Sequence, residues 1–182
     1  MPMSGLPFLK MHVLGNDFVV LDARARTVAV DAERARRIAD RRTGVGCDQL
    51  LILGPAKNGA AARLTIRNAD GGEVATCGNG ARCVAQLLLH ETGGPAIILE
   101  TAAGPLEAMA RPDGQVAVDM GPARLDWREI PLAEPVADTA HLPVSVGPLS
   151  DPVGVGMGNP HAVFFVAEAE AVHLEEGQAA HG

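Results

Sequence analysis

The chain has 182 residues with a formal net charge of −7, 47% of them hydrophobic and 20% charged, the balance of a soluble globular protein of one ordinary or two small domains. The acidic excess argues against nucleic acid or an anionic membrane as principal partner, and the scarcity of aromatics, with no tyrosine, leaves little for base stacking. No apolar run approaches the ~20 residues of a membrane span, the first ten residues do not read as a signal peptide, and three cysteines without framework spacing suit a reducing cytoplasm.

Residues 8–13 and 17–22 read as short strands around the turn Leu14-Gly15-Asn16. His12 and Asn16 are polar residues of interest there, although turn asparagines usually satisfy their own backbone. Asp31 reads as the N-cap of a helix over residues 32–41, with Ala35 and Ile38 inward and an end at Thr43-Gly44. Gly44-Val45-Gly46 falls between a helix and a strand, the wrong order for a dinucleotide fingerprint. Cys47 stands just before the apolar run 50–53 and reads as structural, and Gln49 can face either a site or solvent. Residues 55–62 read as a surface loop.

The most informative stretch follows. A strand over residues 63–67 gives way to the turn cluster 68–72, then Cys77, then Gly78-Asn79-Gly80, and a helix over residues 81–90 closed by Gly93-Gly94. Val84, Leu87, Leu88 and the pair Ala81 and Ala85 recur at three- and four-residue spacing, as a buried helix requires. Its free N–H groups and positive end would face Cys77, the setting in which a thiol gives up its proton more readily. A helix terminus contributes only about 0.3–1 kcal/mol, so amide hydrogen bonds or an imidazole would be needed as well to hold a thiolate. A buried structural cysteine is the alternative reading of the same residue.

Residues 96–101, 106–111 and 115–120 alternate as strands, with a hairpin turn at Pro112-Asp113-Gly114. A proline-rich, weakly periodic stretch over 121–143 marks a boundary, giving segments 1–120 and 121–182. Beyond it, residues 142–146, 153–157 and 162–166 read as strands, 158–161 as a turn and 168–180 as a helix.

The stretches HVLGNDF (residues 12–18), GVGCDQLL (44–51), NADGGEVATCGNGARC (68–83), ETAAG (100–104) and MGNPHAVFFV (157–166) occur together in that order. On these motifs the chain resembles the diaminopimelate epimerases, cofactor-independent amino-acid epimerases, almost from end to end. CGNGARC after NADG is specific, whereas any single glycine pair is not.

The resemblance implies an α/β (α+β) fold of two similar halves, each a curled mixed sheet around a central helix. Substrate would lie between the two helix N-termini. The implied reaction interconverts LL- and meso-2,6-diaminopimelate for lysine and peptidoglycan, in the cytoplasm, with a small-molecule substrate and no cofactor, metal, nucleic acid or membrane. By position, Cys77 matches a catalytic cysteine. Asn16, Gln49, Asn68, Gly78, Asn79 and Asn159 match substrate-binding positions, and His161 matches a histidine that tunes the thiols. Cys47 and Cys83 match no catalytic role.

The chemistry suits those roles. Inverting an α-carbon takes a base on one face and an acid on the other, which a thiolate and a thiol supply in either direction. Helix N-termini can stabilise the carboxylate and the charge developing beside it. Side-chain amides bind ammonium and carboxylate without adding a competing base.

The chain departs from the family pattern in one respect. The family's second half brings a second catalytic cysteine, and no cysteine follows Cys83 here. Cys83 lies six residues beyond Cys77, roughly 9 Å along a helix, and cannot serve the opposite face. The expectation is an epimerase fragment with an incomplete second half and little activity of its own, whose open sheet edges invite association, for instance as a homodimer. Three rivals stand beside it: a proline racemase-like or phenazine-biosynthesis isomerase-like enzyme, a non-catalytic diaminopimelate-binding remnant, and a metal site of Cys47, Cys77, Cys83 and a histidine. The C-x5-C spacing is not a usual zinc pattern.

Overall fold

Two strands in the first third of the chain are apolar on both faces, and the fold explains why. In this computed structural model, residues 5–169 and 172 are described. They fall into two compact units, Met1–Met120 and Gly121–Gly182.

The first unit holds β1 (Leu9–Val13), β2 (Asn16–Asp22), α1 (Ala32–Ala39), β3 (Gln49–Gly54), β4 (Ala62–Asn68), β5 (Glu73–Val74), α2 (Gly78–Thr92), β6 (Ala96–Thr101), β7 (Gly104–Ala110) and β8 (Val116–Val118). The sheet runs β1-β2-β3-β4-β6-β7-β8, with β5 beside β4. The β2–β3 and β4–β6 pairs are parallel and the others antiparallel. Helix α2 packs on strands from both ends of this order, so the sheet curls around it.

Side chains alternate across a strand. Phe18 and Val20 of β2, with Leu51 and Leu53 of β3, join the core around α2, where Val84, Ala85 and Leu88 are buried. Val19 and Leu21, with Leu50 and Ile52, join a second cluster against Ala35 and Ala39 of α1. Strands covered on both faces become continuous hydrophobic runs.

Helix α1 begins at the expected cap, with Asp31 accepting the Arg34 N–H at 2.8 Å. It ends sooner than expected, at Ala39, because Asp40 folds back to accept the N–H groups of Arg42 and Thr43 at 2.8 and 2.6 Å. Helix α2 starts earlier than expected, at Gly78, with Cys77 as its cap. It stops at Gly93, left-handed at φ 66°, whose N–H donates to Leu89 O. Gly71 ties the turn after β4 to α1: its φ is +86°, and a Cβ there would lie 2.3 Å from Ala32 O.

The second unit has the short helix Trp127–Glu129 and two hairpins, β9 (Ser145–Val146) with β10 (Leu149–Ser150) and β11 (Val153–Gly156) with β12 (Pro160–Val163). Its buried residues include Ile130, Leu142 and Pro152. Two sequence expectations shift. The strand expected over 142–146 is confined to its last two residues, since Leu142 packs instead against Gly154. The strand expected at 162–166 begins at Pro160, which pairs with Gly156, and ends at Val163, leaving Phe165 exposed. The helix expected over 168–180 lies almost wholly outside the described residues.

Candidate active site around Cys77

Cys77 is half-buried and caps α2 in an extended conformation, φ −150° and ψ 114°. Its Sγ accepts the Gly80 N–H at 3.4 Å. The first turn of a helix leaves its N–H groups without intrahelical acceptors, and α2 carries no acidic residue there to use them. Gly80 permits this placement: a Cβ at that position would sit 2.9 Å from Leu51 Cδ2 in the core. Beside the cap, Thr76 is buried and its hydroxyl has no hydrogen-bond partner among the described residues.

Leu14 and Gly15, at φ 49° and 88°, form the two-residue turn between β1 and β2, so Asn16 is the first residue of a strand. Its amide does not serve its own turn, contrary to the sequence expectation for a turn asparagine. Asn16 Oδ1 accepts from Asn79 Nδ2 at 2.8 Å, and Asn16 Nδ2 donates to Asp48 Oδ2 at 3.4 Å. Gln49 and Asn68 face each other across β3 and β4, and Gln49 Nε2 donates to Asn68 Oδ1 at 2.8 Å. In the second unit, His161 Nε2 and Asn159 Oδ1 lie 3.0 Å apart, and both residues are exposed.

The other two cysteines are buried, and burial raises both thiol pKa values, which favours the protonated form. A charge cluster that the sequence reading did not single out supports Asn16. Asp17 and Asp48 cross at the starts of β2 and β3. The Asp17 N–H donates to Asp48 Oδ2 at 3.0 Å, and the Asp48 N–H donates to Asp17 Oδ1 at 2.9 Å. Arg41 Nη2 reaches Asp17 Oδ1 and Asp48 Oδ1, each at 2.7 Å, while Arg41 Nη1 reaches Asp17 Oδ2 at 3.0 Å. Lys10 Nζ lies 2.7 Å from Asp17 Oδ2 and also donates to Gly46 O. Hydrogen bonds from Arg41 chiefly, and then from Lys10, outweigh partial burial and hold the Asp17 carboxyl well below the usual carboxylate range. The signals were the aspartates inside GNDF and CDQ; their pairing across 31 residues has no local signature.

A mixed sheet curled about one helix is a fold this chain shares with solved structures of the amino-acid racemase and epimerase class. A probable proline racemase from Agrobacterium radiobacter superposes with a TM-score of 0.58 at 21% identity, over 85% of this chain and 50% of that one. A predicted epimerase from Pseudomonas aeruginosa gives 0.56 at 25% identity, over 86% and 55%.

The family model described as diaminopimelate epimerase matches residues 8–125, and the chain belongs to that family. It is 56% identical over 168 residues to the diaminopimelate epimerase of Rhodospirillum centenum, covering 92% of this chain and 57% of that protein. Against the enzyme of Acidiphilium cryptum it is 51% identical, covering 93% and 60%. The chain therefore spans somewhat over half the length of the curated relatives it matches.

Proposed function

We propose that this chain carries the Cys77 side of a cofactor-independent epimerase acting on 2,6-diaminopimelate in the cytoplasm. The observation that supports it most is Cys77 at the N-cap of the 15-residue helix α2, half-buried beside Asn79, within a chain that belongs to the diaminopimelate epimerase family. The Cys77 thiolate takes the α-proton and becomes a thiol. The electron pair left on carbon is stabilised by the adjoining carboxylate, itself held by N–H groups at the start of α2. In the return direction the same thiol gives the proton back on its own face. Gly78 lets the backbone approach substrate closely. Asn16, Gln49, Asn68 and Asn79 bind its ammonium and carboxylate groups.

Inversion needs a second thiol on the other face. Cys47 and Cys83 are buried, so Cys77 is the thiol of these three that can meet a substrate. A polypeptide of these 182 residues would therefore exchange the α-proton but convert little LL isomer to meso, and its sheet edges would favour a homodimer. Incubating the purified chain with LL-diaminopimelate and resolving the isomers by chiral chromatography tests this. Binding by calorimetry with little conversion is expected. Turnover like that of complete relatives would refute the one-thiol reading, whereas preference for proline over diaminopimelate would refute the substrate.

A further inference from the structure

We propose that Arg41 is a positioning residue for the Cys77 site, acting through Asp48 to fix which way the Asn16 amide faces and hence which groups Asn79 turns to a ligand. An ionised carboxylate only accepts hydrogen bonds, whereas an amide side chain has a donating end and an accepting end. Asp48 Oδ2 already accepts the Asp17 N–H at 3.0 Å and faces Asn16 at 3.4 Å. Asn16 must therefore present its Nδ2 to Asp48, which points its Oδ1 at Asn79. Asn79 must then donate, as it does at 2.8 Å, and it keeps its own Oδ1 and one N–H for a ligand beside Cys77.

This ordering holds only while Asp48 stays in place. Two carboxylates crossed within hydrogen-bond reach of each other's backbone repel, and left alone one would turn away. With Asp48 turned away, Asn16 could sit either way round. Arg41 prevents this by bridging both carboxylates with a single Nη2, 2.7 Å from each. Lys10 contacts Asp17 alone of the two, through Oδ2, and also donates to the Gly46 carbonyl. The two cations are thus similar in charge but different in reach, and Arg41 is the one bound to Asp48. Its side chain is 58% exposed, so its contribution to global stability is small and its loss can be read locally.

The ligand readout rests on the proposed diaminopimelate site, so the primary readout is made without ligand. In 15N-labelled full chain, the side-chain amide signals of Asn16 and Asn79 are recorded for wild type, Arg41→Met, Arg41→Lys and Lys10→Met. Arg41→Met should move and broaden both signals, Arg41→Lys should restore them in part, and Lys10→Met should leave them near their wild-type positions. A merely structural charge cluster would make Arg41→Met and Lys10→Met act alike, and that result would overturn the proposal, as would two unmoved signals in Arg41→Met. Should Arg41→Met fail to fold, the near-isosteric Asp48→Asn takes its place, since an amide there no longer dictates the orientation of Asn16. Diaminopimelate affinity should fall about 3–10-fold with Arg41→Met, the worth of one misplaced hydrogen bond. Wild-type chain that binds no diaminopimelate would defeat the proposed function while leaving the amide test standing.

Discussion

Asp17 is partly buried, at 22% side-chain exposure, and shows how much a single carboxylate can organise. Its folded pKa is depressed by Arg41 and Lys10 from an ordinary value of 3.8. A depressed carboxyl contributes stability that is fully present above its unfolded value and is lost as pH falls through the folded one. Melting curves of wild type and Asp17→Asn should therefore run parallel above about pH 5 and converge below it, with the variant less stable by on the order of 1–3 kcal/mol at neutral pH. Curves that diverge on acidification would contradict the ion pairing. At this scale the sequence was legible where chemistry is local. Cys77 stood out because glycines and a periodic helix frame it. Arg41, Asp17 and Asp48 did not, because each reads singly as a surface charge; the parallel β2–β3 pairing brings the two aspartates together, and Arg41 reaches them from the turn after α1. Asn16 misread for a related reason: its turn is made by Leu14 and Gly15, which frees its side chain to reach Asp48 and Asn79.

At the scale of elements, the turn between β4 and β5 depends on a close approach that only glycine can make. Gly71→Ala would force a Cβ to within 2.3 Å of Ala32 O at φ +86°, and backbone cannot step aside as a side-chain tip can. A loss of on the order of 2–4 kcal/mol in denaturant unfolding is expected. Wild-type stability would mean that α1 and the turn are not in contact. The second unit offers a test of opposite pH sign. His141 Nδ1 lies 2.9 Å from Asp151 Oδ2, and that carboxylate raises the histidine above its ordinary 6.5. A raised base contributes stability fully present below 6.5 and lost as pH climbs through the folded value. Protection of nearby amides from hydrogen exchange should fall across that window and be flat in His141→Gln. Both groups are well exposed, so the effect is small. The helices were legible in kind because α1 is capped and α2 periodic. Their ends were not, because an aspartate folding back at 40 and a cysteine serving as cap at 77 are side-chain events.

For the whole molecule, the curled sheet about α2 was expected from family motifs and not from periodicity, which gives strands but not their order. The parallel pairs β2–β3 and β4–β6 require crossovers that alternation cannot encode. The hairpins of the second unit shifted by a few residues because short strands carry little pattern and Pro160 is tolerated at an edge. The central proposal is chemical: Cys77 would exchange a proton with the α-carbon of a bound diaminopimelate. The most direct test is deuterium entry from solvent D2O into diaminopimelate, followed by mass spectrometry with wild-type chain and Cys77→Ser. Incorporation by wild type with a fall of at least about 100-fold in the serine variant is the predicted result. Equal incorporation by both proteins would contradict it.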